Sequence, residues 1–251
     1  MLTDGNHIKS PLRVGDLSHT SEGTLLPSLQ LRQADELPLP PAMPDAVLLL
    51  RLLLSSHVAD LHAITNVIRN DVGLAVQLFR LAALEGAGRA AGSVNVGDLI
   101  IQIGLEKLKS LAVQTRLNPL HPPNAAPHAR ERFWMHARLT ARISEELASE
   151  TVPAHREAAY FAGLLRHLGA LPAVLGWDTT EWMQGSVSEI GYQLAKAWQI
   201  PAVLADVIRG DDRFCGSKKA HSLLRLVNVA DERAMQWESV GRPMPLAFVW
   251  S

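Results

Sequence analysis

This sequence of 251 residues has a single cysteine, almost no excess of one charge and no long apolar run. Cys215 is the only cysteine, which excludes a disulfide within the chain and is typical of a protein kept in a reducing cytosol. Lys and Arg total 24 and Asp and Glu total 25, so the net charge of -1 argues against a general binder of DNA or of membrane surfaces. The longest apolar stretch, residues 46–54, is broken by Arg51 and falls short of the ~18 residues that a membrane span needs.

The first 36 residues have no helical or strand periodicity and are rich in Ser, Thr, Gly and Asp. We expect residues 1–36 to form a flexible tail, with a docking arm as the alternative and a short helix near residues 26–34. Residues 1–6 are polar and lack the basic-then-apolar pattern of a secretion signal. We therefore expect a cytoplasmic protein with no membrane association.

The remaining sequence is helical in pattern, and 47% of the chain is hydrophobic, which is enough for a sizeable core. Asp60 and Asp71 each precede an apolar-periodic stretch and are predicted to cap a helix N-terminus. Ser186 and Glu189 have the spacing of a capping box, which predicts a third helix start. No stretch alternates in the way that predicts a β-strand.

Four prolines between residues 118 and 128 divide the helical pattern in two. We predict an N-terminal helical lobe over residues 37–118, a linker over 119–128 and a C-terminal helical lobe over 129–251. The apolar residues after Gly241 are expected to pack back on the core.

Several segments, in this order and spacing, resemble the HDOD family, the HD-related output domain of bacterial signalling proteins. Each segment alone is a weak signal, but together they extend over about four-fifths of the chain. The residues that carry the resemblance are 37–44 (Leu-Pro-Leu-Pro-Pro-Ala-Met-Pro), 68–82 (beginning Ile-Arg-Asn-Asp-Val-Gly), 103–108 (Ile-Gly-Leu-Glu-Lys-Leu), 133–136 (Phe-Trp-Met-His), 163–169 (Gly-Leu-Leu-Arg-His-Leu-Gly), 198–201 (Trp-Gln-Ile-Pro) and 229–231 (Val-Ala-Asp).

This resemblance implies an all-α fold, with the N-terminal helical lobe followed by an HD-like C-terminal lobe. It also implies a regulatory role in bacterial signal transduction, since family members are usually described as non-catalytic or of unknown activity. Many members are fused to sensor or response-regulator domains. Because this chain has no room for such a domain, we expect a signalling protein to act on it in trans.

Residues 163–169 resemble the Gly-Leu-Leu-His-Asp-Ile-Gly signature of the HD superfamily, whose adjacent His and Asp bind a catalytic metal. Here Arg166 and His167 occupy those two positions, and Arg has no lone pair to give a metal. The resemblance assigns His136 to the first His of the metal site and Asp231 to the late Asp. The sequence therefore predicts a degenerate HD site of His136, Arg166, His167 and Asp231, with no metal and no cofactor.

A carboxylate buried at such a site needs a partner. We expect the Arg166 guanidinium to occupy the former metal position and to pair with Asp231, with His136 as a further neighbour. The alternative is that Arg166 reaches solvent and Asp231 is exposed.

A locally basic region follows the Pro-led helix and contains Arg209, Arg213, Lys218, Lys219 and Arg225. It predicts a possible anion contact, for example with a nucleotide phosphate, and a solvated helix start is the alternative. The run Arg209-Gly210-Asp211-Asp212 replaces the Arg-x-His-His of many family members, and we expect a solvated loop there. No base is apparent beside Cys215, and the histidines outside the HD site, among them His221, have no metal-ligand spacing.

The sequence thus favours a non-catalytic HDOD-like regulatory module that acts through protein–protein interaction, with no DNA partner. Three alternatives stay open: a sensor of a nucleotide or second messenger, a residual metal-dependent phosphohydrolase, and a structural or assembly subunit.

Overall fold

The structure is a computed structural model that describes residues 37–56, 58, 60–87, 94–115, 128–177 and 185–240. Within these residues, every regular secondary-structure element is a helix. The all-α prediction is therefore confirmed. Three short 3-10 helices cover Pro153–His155, Leu168–Ala170 and Asp212–Phe214. The α-helices are α1 (Pro44–Ser55), α2 (Leu61–Arg69), α3 (Val72–Leu84), α4 (Val96–Ile103), α5 (Leu105–Gln114), α6 (Ala129–Thr151), α7 (Arg156–Leu164), α8 (Leu171–Leu175), α9 (Val187–Ala197), α10 (Ala202–Arg209) and α11 (Lys218–Ser239).

Polar side chains cap the helix starts as the sequence predicts. Asp60 accepts a hydrogen bond from the backbone N–H of Ala63 at the start of α2, and Asp71 accepts one from Leu74 at the start of α3. Ser186 accepts from the N–H of Glu189 at the start of α9. Each bond satisfies a backbone donor that the helix itself leaves without a partner.

One apolar cluster runs from α1 to α11 and holds the helices together. Helix α3 is its centre, because all of its residues from Val72 to Phe79 are buried. Phe79 meets Phe161 of α7 edge to face, with ring centroids 5.2 Å apart. The N-terminal helices α1–α5 therefore share a core with the C-terminal helices α6–α11.

Polar contacts join the same two groups of helices. Asp71 binds the backbone N–H of Met43 at 2.9 Å and the indole N–H of Trp134 on α6 at 3.0 Å, in addition to its capping bond. Glu145 on α6 accepts from Arg69 of α2 at 2.8 Å and from Arg156 of α7 at 3.0 Å. These contacts hold α2 and α3 against α6 and α7.

Two glycines of the HD-like motif allow close packing around it. A Cβ at Gly163 would lie 2.6 Å from the Ser144 hydroxyl of α6, and one at Gly169 would lie 1.7 Å from the Val187 carbonyl oxygen at the start of α9. Neither distance is compatible with a side chain, so only glycine lets α6 and α9 approach the motif this closely.

Of the boundaries predicted from sequence, the tail over residues 1–36, the residues after Gly241 and the linker over 119–128, apart from His128, lie outside the described residues. Within the described residues, Pro153–Leu175 is long and apolar enough to cross a membrane by length and composition alone. However, 72% of its apolar window is buried inside the protein, as in a core segment.

Candidate functional site

Two histidines and one aspartate meet between α6, α7 and α11. His136 lies on α6, Asp231 lies on α11, and His167 lies just after α7. The Nε2 atoms of His136 and His167 lie 2.9 Å and 2.7 Å from the same oxygen, Oδ1 of Asp231. The two imidazole rings are tilted by 56° with centroids 5.0 Å apart. Three of the four residues predicted for the degenerate HD site thus form one cluster, which we call the HHD triad.

A fourth side chain, Glu238, completes the surroundings of the triad. Its Oε1 lies 3.1 Å from Nδ1 of His136, so both ring nitrogens of that histidine face carboxylates. A neutral imidazole has a single N–H, and only the doubly protonated ring donates to both. Sequence reasoning missed Glu238, although it follows Asp231 by two helical turns and lies on the same face of α11.

The electrostatics agree with a charged His136. Burial alone would lower the pKa of His136, but the hydrogen bond to Asp231 and the charge of Glu238 outweigh it, so this pKa is raised above its ordinary 6.5. Burial would likewise raise the pKa of Asp231, but the hydrogen bonds from His136 and His167 hold it well below its usual range. Asp231 is thus an ionised carboxylate that accepts from two imidazoles.

Arg166 does not join this cluster, and the predicted pair with Asp231 is wrong. Its Nη1 donates to the carbonyl oxygens of Val207 and Ile208 at 3.1 and 3.2 Å, and its Nη2 donates to Oδ1 of Asn228 at 3.2 Å. Its side chain therefore points to the C-terminus of α10 instead of into the former metal position.

The physical reason lies in the end of α10. The last carbonyls of a helix have no partner within the helix and carry the negative end of its dipole, so a guanidinium that reaches them is stabilised. Gly210, which follows α10 with φ of +74°, also makes room, since a Cβ there would lie 2.7 Å from Nη1 of Arg166. Arg166 thus acts as a C-terminal cap of α10.

Comparison with known proteins identifies the family of this chain. A family model described as HDOD domain matches residues 40–180, which is more than half of the chain and includes His136, Arg166 and His167. The chain belongs to the HDOD domain family. The match ends before Asp231, whose place in the triad comes from the geometry.

The chain is also similar to several solved structures. The response regulator MmoQ from Methylococcus capsulatus is 19% identical, with a TM-score of 0.65 over 83% of this chain and 91% of that chain. A second structure of MmoQ, determined on a fragment, is 17% identical, with a TM-score of 0.62 over 83% and 88%. An HDOD domain protein from Geobacter sulfurreducens is 20% identical, with a TM-score of 0.39 over 79% and 74%. No curated protein sequence matches the chain.

The HD-type ancestry of an HDOD protein implies a divalent metal, and the HHD triad fits one ion in part. His136, His167 and Asp231 each offer one ligand atom, and these atoms lie within 4.8 Å of one another. Three protein ligands are enough for a metal centre that keeps an open position, where a bound ion would lower the pKa of a water molecule. Arg166 supplies no ligand, so the second metal-binding residue of the motif is lost. The expectation of no metal stays a prediction.

Two arginines of the basic region, Arg209 and Arg213, contact other residues of the protein. Arg209 lies 3.3 Å from Glu189 and stacks over Tyr192 and Phe214, with its guanidinium carbon 4.6 and 3.8 Å from the ring centroids. Arg213 binds Asp211 at 2.6 Å, and its hydrogen bonds lower the pKa of Asp211 to about 2. Lys218 and Arg225 are exposed and Lys219 is half-buried. A phosphate contact through this region stays a prediction, with two of its arginines already paired.

The surroundings of Cys215 differ from the sequence interpretation, which found no base beside it. His221 and Asp212 both lie close to the thiol, and the three residues form a group that could hold a metal ion. The spacing Asp-x-x-Cys-x5-His did not reveal the group, because it depends on how a 3-10 turn meets the start of α11.

Proposed function

We propose that this HDOD protein is a non-catalytic regulatory module of bacterial signal transduction, which acts in the cytoplasm by binding a signalling protein in trans. Its family membership supports a signalling role, as does its fold similarity to MmoQ, which is described as a response regulator. The module needs a partner because a protein without turnover passes on a signal only by changing what it binds.

The direction of Arg166 carries the non-catalytic part of the proposal. In an active HD centre this position binds the metal, whereas here the side chain is committed to Val207, Ile208 and Asn228. The remaining residues of the triad satisfy one another, since Asp231 accepts from both histidines. A metal at the triad would have to displace the Nε2 protons of His136 and His167, which the Asp231 carboxylate accepts.

A residual metal-dependent phosphohydrolase is the second candidate, and one observation favours it. The ligand atoms of His136, His167 and Asp231 already lie within 4.8 Å of one another, so binding one ion requires little movement. Such an enzyme would bind metal close to stoichiometrically and hydrolyse a phosphodiester.

The experiment separates the two candidates with one set of proteins. Wild type, His167→Ala and the double variant Arg166→His/His167→Asp are purified from cells supplied with Fe, Mn and Zn, and metal content and hydrolysis of bis(p-nitrophenyl) phosphate are measured. We expect no turnover by wild type and a gain of metal by the double variant. Near-stoichiometric metal at the triad of the wild type, together with turnover that His167→Ala abolishes, would replace the proposal with the phosphohydrolase.

The regulatory part is tested in cells. A strain lacking the gene is complemented with wild type or with His167→Ala, and partner capture is followed by reconstitution from purified proteins. A non-catalytic module restores the phenotype, and both versions bind the same signalling protein saturably. If folded His167→Ala fails to complement although it still binds that protein, the function depends on chemistry at the triad.

A further inference from the structure

The turn between α10 and α11 brings together a thiol, an imidazole and a carboxylate from Cys215, His221 and Asp212. One ligand atom from each of the three lies within 4.8 Å of the other two. Nδ1 of His221 lies 3.2 Å from Oδ1 of Asp212. Of the three residues, only His221 lies in α11, ten residues before Asp231, and the group shares no residue with the HHD triad. We call it the turn cluster.

Local backbone geometry creates the turn cluster. Asp212 opens the 3-10 helix Asp212–Phe214, and Cys215 follows as its C-cap, with its N–H bonded to the Asp212 carbonyl oxygen at 3.4 Å. Residues three apart on a 3-10 helix are eclipsed, so both side chains lie on one face. His221 follows in the first turn of α11, whose start is fixed by the Ser217 cap.

The electrostatics around the thiol favour a cation. Asp211 is paired with Arg213, whereas Asp206 accepts a hydrogen bond from the backbone N–H of Gly216 and Asp212 lies 3.2 Å from His221. Burial raises the pKa of the Cys215 thiol, and the charges of Asp206 and Asp212 raise it further. The same carboxylates that disfavour a thiolate lower the energy of a positive ion at this position.

The ligand types select the class of ion. Ca²⁺ and Mg²⁺ prefer sites made of oxygen ligands, whereas thiolate together with imidazole is typical of Zn²⁺ and related transition metals. Three protein ligands leave a fourth tetrahedral position for water or an outside ligand. The half-buried state of Cys215 and His221 leaves the turn cluster accessible to an ion from solution.

We propose that Asp212, Cys215 and His221 bind one thiophilic divalent ion of the zinc class. Binding exchanges the S–H bond of Cys215 for a metal–sulfur bond and releases that proton to solvent, together with the imidazole proton if His221 is charged. No electron is transferred. The bound ion links the turn after α10 to the first turn of α11.

Cobalt is the probe that distinguishes this site from the HHD triad. Protein stripped of metal with a chelator and kept reduced with a phosphine is titrated with Co²⁺ while the absorption spectrum is recorded. We expect a thiolate-to-cobalt charge-transfer band that saturates at about one ion per chain and is lost on addition of Zn²⁺. The triad contains no sulfur and cannot give this band, and Cys215 is the only cysteine of the chain.

Matched variants assign the ligands. Cys215→Ser is expected to lose the band completely, and His221→Ala and Asp212→Asn are expected to weaken binding, whereas His136→Ala keeps the band. The proposal is overturned if wild type gives no charge-transfer band, or if His221→Ala and Asp212→Asn both bind as wild type does. A ratio of one ion to two chains also overturns it, because thiolates of two molecules would then share the metal. Circular dichroism of each variant verifies that it is folded.

Discussion

Replacing Arg166 with alanine tests the central reassignment of this site. The change removes the donors to Val207 and Ile208 at the end of α10 and the donor to Asn228 on α11. It leaves two helix-terminal carbonyls and one amide oxygen without these partners. We therefore expect a stability loss from α10, with the triad left in place.

The size of the loss follows from the hydrogen bonds. A bond with a charged partner contributes about 1.5 to 3 kcal/mol, and Nη1 shares its donors between two carbonyls, so Arg166 makes the equivalent of about two such bonds. Water can reach this half-buried position and recover part of the loss. We expect the free energy of unfolding to fall by about 2–4 kcal/mol, which lowers Tm by roughly 5–15 °C for a domain of this size.

Urea unfolding followed by circular dichroism measures this loss, with Arg225→Ala as the matched control because Arg225 is exposed on α11. The control should lie within about 0.5 kcal/mol of wild type. Arg166→Lys keeps the charge but lacks the forked donors, so its loss should be intermediate. A double-mutant cycle should give a coupling of about 1 kcal/mol between Arg166 and Asn228 and a smaller one between Arg166 and Asp231. The capping role is refuted if Arg166→Ala has the same free energy of unfolding as Arg225→Ala. It is also refuted if Arg166 couples more strongly to Asp231 than to Asn228.

Two further predictions concern buried charge. Glu145→Gln should lower the free energy of unfolding by about 1.5–3 kcal/mol, because the half-buried Arg69 loses a charged hydrogen-bond partner while the mostly exposed Arg156 loses little. Glu146→Gln, on the exposed side of α6, should have little effect in the same urea assay. Because the pKa of His136 is raised, its contribution to stability should be complete below pH 6.5 and lost as pH rises through its folded value. An NMR titration in chelator should therefore give a His136 midpoint above 6.5 that falls in Glu238→Gln; an unchanged midpoint would exclude Glu238 as a cause.

Helix starts could be predicted from the sequence because their signals are local. Asp60, Asp71 and Ser186 each bond a backbone N–H three residues ahead, so spacing along the chain is sufficient to find them. The triad of His136, His167 and Asp231 depended instead on the family resemblance, which placed distant residues at one site.

The directions of the side chains at the site could not be predicted from local spacing or from the family resemblance. Arg166 had two partners of negative character within reach, the Asp231 carboxylate and the end of α10, and only the packing of α10 against α7 and α11 decides between them. The turn cluster posed a similar difficulty, because Asp212 and Cys215 meet His221 only through the angle between a 3-10 turn and a helix. The spacing of seven residues between Asp231 and Glu238 was, by contrast, a signal that helical periodicity could have revealed.

The carboxylate of Asp71 has a consequence for how this protein opens. It accepts N–H groups from Met43 ahead of α1, from Leu74 in α3 and from the Trp134 ring in α6, while burial raises its pKa above the ordinary value. Detaching any one of these segments removes a hydrogen-bond donor from a buried carboxyl group. Opening one segment alone therefore costs free energy, and the three segments should open together. These three protons should therefore exchange with deuterium through one shared opening event, which makes the N-terminal and C-terminal helices a single cooperative unit.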